Sequence, residues 1–194
     1  MQSIRNYIVK SEFEYEQSFT TEAGIQLFAD KRFSAERLAN KTVTVVELPA
    51  DCNDDTLKPG YELMIDPTIY YMQNYDNRGD VENPLMVDRK KGLFKVDAGM
   101  IVLYRETSES EWKAFGINML AIMDTKTEEK KVAGIVSNVT TTKIKAAFVN
   151  EELKNEGLCE GDEIHIKEYM DVPFWIDGKE YKWLSNAHIL AKLN

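Results

Sequence analysis

Leu57-Lys58-Pro59-Gly60-Tyr61-Glu62-Leu63 returns in the second half of the chain as Leu158-Cys159-Glu160-Gly161-Asp162-Glu163-Ile164. In both copies a leucine precedes a glycine by three positions, and Glu-aliphatic follows it. Glycine supplies turn conformations that other residues resist, and the residues after it have the character of a strand. The chain therefore makes the same turn-into-strand twice.

Two further signals flank this one in the same order. Ala23-Gly24-Ile25 precedes the first copy and Ala133-Gly134-Ile135 the second. Val96-Asp97-Ala98-Gly99-Met100 follows the first, and Ser185-Asn186-Ala187-His188-Ile189 follows the second. The spacings are 36 and 38 residues in the first half, against 27 and 26 in the second. Self-similarity in fixed order signals a duplicated unit. The first copy is the longer, with insertions of the kind that surface loops accept. The acidic run Glu106-Thr107-Ser108-Glu109-Ser110-Glu111 has no apolar periodicity and reads as a linker. The expected organisation is a first domain over 1–105, a linker over 106–114 and a second domain over 115–194.

Within each half the apolar stretches are short and rich in β-branched residues. Thr42–Leu48, Glu62–Asp66, Asn118–Met123, Lys143–Val149 and Glu163–Lys167 read as strands. Pro59-Gly60, Asn77-Arg78-Gly79-Asp80 and Asp177-Gly178 read as turns between them. Asp97 and Asn186 are placed to cap single helical turns. Many short strands with Gly/Pro turns predict an all-β fold, a small barrel or sandwich in each half.

The net charge of -9 repels phosphate backbones, which disfavours nucleic acid as a partner. There is no apolar run long enough to span a membrane and no apolar leader after Met1. Cys52 and Cys159 are the only cysteines and give neither a CxxC metal pair nor a disulfide framework. They read as free thiols of a reducing cytoplasm.

The repeated signals resemble the GroES co-chaperonin family. Gly161-Asp162-Glu163-Ile164 stands where the family has a Gly-Asp turn into a strand. Ile176-Asp177-Gly178-Lys179-Glu180-Tyr181 stands at its following hairpin, and Leu184–Ala191 at its closing strand. Asp88–Phe94 and Asp97–Leu103 form a looser copy in the first half. The resemblance implies two tandem GroES-like small β-barrels. It also implies a long mobile loop whose aliphatic tripeptide docks on a chaperonin ring, in a homo-oligomer that caps the ring. The implied docking residues are Gly24, Ile25, Gln26 and Leu27, within a polar stretch from about Glu14 to Lys41, and Gly134, Ile135 and Val136 in the second half. Ser137 is polar where the family's third tripeptide residue is aliphatic, and the second loop, about Thr125 to Thr142, is the shorter. The family's roof hairpin has only Leu48–Leu57 and Val149–Leu158 to occupy. A competing reading makes Ile25 and Leu27 part of a core strand, followed by a helix over Ser34–Ala39. The Pro67–Pro84 insertion, with Tyr70, Tyr71, Met72 and Tyr75, suits either an interface or a cover for its own core.

No catalytic chemistry emerges. Neither His165 nor His188 has a metal-ligand neighbour at usable spacing. There is no Walker A loop, GxGxxG or GxSxG, and Asp51, Asp54 and Asp55 lack EF-hand spacing. No cofactor is implied, and ATP hydrolysis would belong to the chaperonin. The expected activity is co-chaperonin binding in the cytoplasm of a bacterium or phage host. The alternative is a structural or adaptor protein on the same fold, phage-encoded for instance.

Overall fold

A computed structural model describes residues 3–11, 18–28, 42–51, 55–70, 74–75, 81–132, 135–167 and 172–193. Over 18–20, 26–28, 74–75, 81–82, 127–132 and 135–141 it describes the backbone only. The chain is all-β, in two compact units, Met1–Glu111 and Trp112–Asn194.

The first unit contains β1 (Tyr7–Lys10), β2 (Ser18–Thr20), β3 (Gln26–Phe28), β4 (Val43–Glu47) and β5 (Glu62–Ile65). A 3-10 turn over Pro67–Tyr70 follows, then β6 (Asn74–Tyr75), β7 (Val81–Glu82), β8 (Met86–Asp88), β9 (Leu93–Val96) and β10 (Ile101–Arg105). Strand β11 (Lys113–Ala114) opens the second unit. It continues with β12 (Asn118–Val132), β13 (Ile135–Phe148), the helix α1 (Glu151–Asn155), β14 (Glu163–Ile166), β15 (Val172–Ile176), β16 (Lys179–Ser185) and β17 (Ile189–Leu193).

In the first unit the strand order is β10-β5-β4-β1-β9-β8, and in the second it is β17-β14-β13-β12-β16-β15. Each strand of one has a counterpart in the other at the same place in sequence and sheet. Neither sheet closes on itself. The correspondence extends to local detail. The ladder slips between Ile8 and Val9 in one unit, and between Leu120 and Ala121 in the other. Gly60 (φ +94°) donates to the Val45 carbonyl at 2.8 Å, and Val45 donates to the Tyr61 carbonyl at 2.9 Å. Gly161 (φ +90°) and Ala146 repeat this pair of bonds, at 2.8 Å and with Asp162 at 2.9 Å. These glycines hold left-handed backbone that a side chain would strain.

One correspondence differs from the sequence reading by a residue. Asp97 Oδ1 accepts from Met100 N–H, and the Met100 carbonyl accepts from Asp66 N–H. In the second unit the His188 carbonyl accepts from Lys167 N–H, and the turn spans Asn186–His188 after Ser185. Ser185, not Asn186, therefore holds the place of Asp97. Alignment on the shared alanine shifts the match, because hydrogen-bond position and not the alanine defines the turn.

The core follows the two-residue strand period. Val43 and Val45 are buried and Thr44 and Val46 are exposed along β4. Ile164 and Ile166 are buried on either side of the exposed His165 along β14, so that histidine faces solvent. Each fully buried aliphatic side chain contributes about 1.5–3 kcal/mol. Asp162 is the anchor of the second unit's turn. It accepts from Cys159 N–H at 2.7 Å and pairs with Lys192 at 2.7 Å, and these two contacts hold its carboxyl below the usual range.

The insertion supplies its own unit's core. Ile69 is 1% exposed, and Tyr70 packs edge-to-face on Phe94 while its hydroxyl meets that of Ser11 at 2.9 Å. Tyr71, Met72 and residues 77–80 lie outside the described residues. Burial pushes the Tyr70 phenol up to about 12, against the pull of the Ser11 hydrogen bond. The native state thus favours the neutral phenol, so its contribution is intact below pH ~10 and is lost as pH rises to about 12. Tyr70→Phe should be less stable than the parent at pH 7 by about 1 kcal/mol. Between pH ~10 and ~12 the parent should lose roughly 2–3 kcal/mol that the variant keeps, reversing their order in urea denaturation. Parallel pH profiles for the two proteins would contradict this.

Candidate docking hairpins

The Ala23-Gly24-Ile25 signal forms the end of a hairpin. Strands β2 and β3 pair Ser18 with Phe28, Phe19 with Leu27, and Thr20 with Gln26. The turn is closed by Gly24 N–H to the Thr21 carbonyl at 2.8 Å and by Thr21 N–H to the Ile25 carbonyl at 2.9 Å. The Thr21 hydroxyl adds a third bond, accepting from Ile25 N–H at 3.1 Å. Gly24 has φ +76°. This is the three-residue hairpin loop in which a type I turn is followed by a left-handed residue, the position glycine fills without strain.

The outcome for Ile25 is exposure. Its side chain is 59% exposed, and Glu22, Ala23 and Gly24 beside it are exposed too. It is not part of a core strand. Gln26 and Leu27 lie in β3, where only backbone is described. The helix expected over Ser34–Ala39 falls outside the described residues, as do 12–17 and 29–41.

In the second unit the counterpart of this hairpin is β12–β13, which joins the same two sheet positions. Thr125–Thr142 reads as a loop in sequence, yet its described residues are strand. Within the sheet, β12 pairs with β16 over Asn118–Ala121, and β13 pairs with β14 at Ile144–Lys145. From Asp124↔Lys143 to Val132↔Ile135 the described residues of the two strands pair with each other alone. At ~3.3 Å per residue this ribbon extends about 30 Å. Its Thr, Lys and Glu content lacks the apolar alternation of a half-buried strand, so the sequence gives no strand signal there. Ile135 and Val136 sit at its far end, paired with Val132 and Lys131. Gly134 lies outside the described residues.

The Val149–Leu158 segment, the room left for a roof hairpin, carries α1 in the second unit. Asn150 caps it by accepting from Leu153 N–H, with Glu151 and Glu152 in the first turn. The Asn150 amide donates to the Asn118 carbonyl at 3.1 Å and to Asn186 Oδ1 at 2.7 Å. Asn186 in turn donates to Glu152 at 2.6 Å, and the Trp183 indole donates to Asn118 Oδ1 at 3.0 Å. His188 accepts from Ser185 N–H through Nδ1, within the turn that follows β16. Among the described residues no three His, Cys, Asp or Glu side chains converge as metal ligands. Nor is any helix there long and apolar enough to cross a membrane.

No family model, curated protein or solved structure matches the chain. The functional reading therefore rests on these hairpins and on the duplicated sheet.

Proposed function

We propose that the chain is a tandem co-chaperonin of GroES-like barrels that docks on a chaperonin ring through the β2–β3 hairpin and assists folding by capping. The observation that carries this reading is Ile25, a large aliphatic side chain left 59% exposed at a turn built to hold it out. Docking would bury it, contributing roughly 1.5–3 kcal/mol per hairpin. Single contacts of this size are weak, and a ring of hairpins multiplies them through effective concentration. The equal strand order of the two units supports a duplicated building block, in keeping with the repeated turn signals. The β12–β13 ribbon is the second candidate arm, with Ile135 and Val136 near its end.

The two arms have different roles in this account. The first is a short hairpin, within the polar Glu14–Lys41 stretch, that presents Ile25 at its turn. The second is already paired along its length and reaches farther. The protein supplies binding and coverage, and the partner ring supplies ATP hydrolysis. The test is co-elution of the purified chain with a chaperonin ring in the presence of ATP. A stable complex is expected. No complex would overturn the reading and favour a structural or adaptor role.

A further inference from the structure

The β12–β13 ribbon has two long edges of opposite character. On the β12 side, residues 124–131 include six charged residues in eight. On the β13 side, residues 135–142 include none, and six of those eight are β-branched. The ladder sets Glu128, Glu129, Lys130 and Lys131 opposite Val139, Asn138, Ser137 and Val136, so these four charges have no charged cross-strand neighbour on β13. Beyond the β14 pairing at Ile144 and Lys145, no described strand pairs with the outer edge of β13.

An unpaired strand edge is a template for another strand, and folds blunt such edges with charge, proline, bulges or short length. The other described edges of this unit carry such features. The outer edge of β12 is charged, β15 contains Pro173, and β17 contains Lys192 and a slip in its ladder against β14. The edge of β13 has none of them over eight residues. A two-stranded ribbon standing alone is marginally stable in water, and independent stability takes three or more strands.

We propose that this edge pairs with its counterpart in a second copy of the chain, antiparallel about a two-fold axis, to give a four-stranded sheet in the order β12-β13-β13′-β12′. A two-fold axis places one surface against itself, so a single open edge supplies both sides of the contact. Among the described edges of the unit, β13 is the one left unblunted. Each copy carries a net charge of -9, and meeting along residues 135–142 brings no carboxylate opposite another. Facing residues of a ladder share a face of the sheet, so the axis sets one residue opposite its own copy. That residue is Asn138 or Val139, at the middle of the open edge, since β14 occupies the positions from Ile144 onward. Pairing over these eight residues forms about eight backbone hydrogen bonds between the copies, with β-branched residues facing Thr, Ser and Val as sheets favour. The Ile25 hairpin takes no part, and the pairing stands whether or not the chain docks on a chaperonin.

The test is sedimentation velocity of full-length chains across a concentration series, with no chaperonin present. One variant places lysines on the edge (Ser137→Lys with Val139→Lys), and another places glutamates there (Ser137→Glu with Val139→Glu). Positions 137 and 139 pair with Lys130 and Glu128 in the chain's own ladder. Each variant therefore gains one like and one unlike charge pair within its ribbon, and circular dichroism establishes that it is folded. The parent is expected to dimerise, and each variant to associate at least 10-fold more weakly. An equimolar mixture of the two variants is expected to regain dimers, because unlike charges then face each other across the axis. Ile25→Asp should dimerise as the parent does, which separates this pairing from chaperonin docking. A parent that stays monomeric at every concentration would overturn the proposal and leave the edge to a strand of another protein. Unchanged association in both variants, or a mixture no better than its components, would also overturn it.

Discussion

Gly92→Ala is expected to destabilise the first unit by about 3 kcal/mol or more, one of the two largest stability effects anticipated for a single substitution in this chain. Gly92 closes the turn between β8 and β9 with φ +64°. A left-handed backbone costs a non-glycine residue about 1–2 kcal/mol. A Cβ at Gly92 would also lie 2.3 Å from the Ser11 carbonyl oxygen. That neighbour is backbone, so relief requires β1 and β9 to separate where Ser11 N–H bonds the Gly92 carbonyl, and such shifts cost about 1–3 kcal/mol. Displacing Ser11 would also disturb its contact with Tyr70. Hydrogen exchange at the amides of β1 and β9 reads this directly. Protection there should fall by roughly 100-fold, while amides of the second unit keep theirs. Unchanged protection at Val9 and Phe94 would contradict the close approach.

Asn150→Ala should cost the second unit a comparable amount, about 2–4 kcal/mol. Loss of the cap on α1 accounts for about 1 kcal/mol. The remainder comes from the Asn118 carbonyl and Asn186 Oδ1, which lose the donor that joins them; a buried polar group left without its partner costs about 1–3 kcal/mol. Asn150 is 1% exposed and Asn118 is 3% exposed, so water does not readily replace the amide. Asn150→Ser separates the two contributions. Serine retains a capping oxygen but cannot bridge Asn118 to Asn186, so it should recover only the cap's share. A serine variant as stable as the parent in urea denaturation would show that the bridge contributes nothing.

Much of the fold is legible where backbone chemistry leaves a mark in residue type. Gly60 and Gly161 sit at two equivalent left-handed positions, and their flanking leucines and glutamates announce the same strand twice. Asp177-Gly178 marks the β15–β16 turn, with Asp177 itself at φ +49°. The strand order is not legible, because it depends on pairings between residues far apart in sequence. The β12–β13 ribbon is hidden for another reason: its Thr, Lys and Glu residues carry no apolar alternation. Helix α1 carries readable signals, since Asn150 precedes two glutamates and Gly157 follows the last turn, but a five-residue helix has too little periodicity to announce itself. At the candidate site, Ile25 beside Gly24 is visible in the sequence, whereas its exposure is decided by the turn's hydrogen bonds.

The most direct measurement of the central claim is the affinity of the chain for a chaperonin ring with ATP, compared with that of Ile25→Asp. Aspartate at this exposed turn leaves the β2–β3 backbone bonds in place, so the variant should fold as the parent does. It removes roughly 1.5–3 kcal/mol of apolar burial per hairpin and adds the cost of desolvating a carboxylate. Multiplied over a ring, this predicts a loss of at least 100-fold, and in practice no co-eluting complex. An Ile25→Asp protein that binds the ring as tightly as the parent would contradict docking through this hairpin.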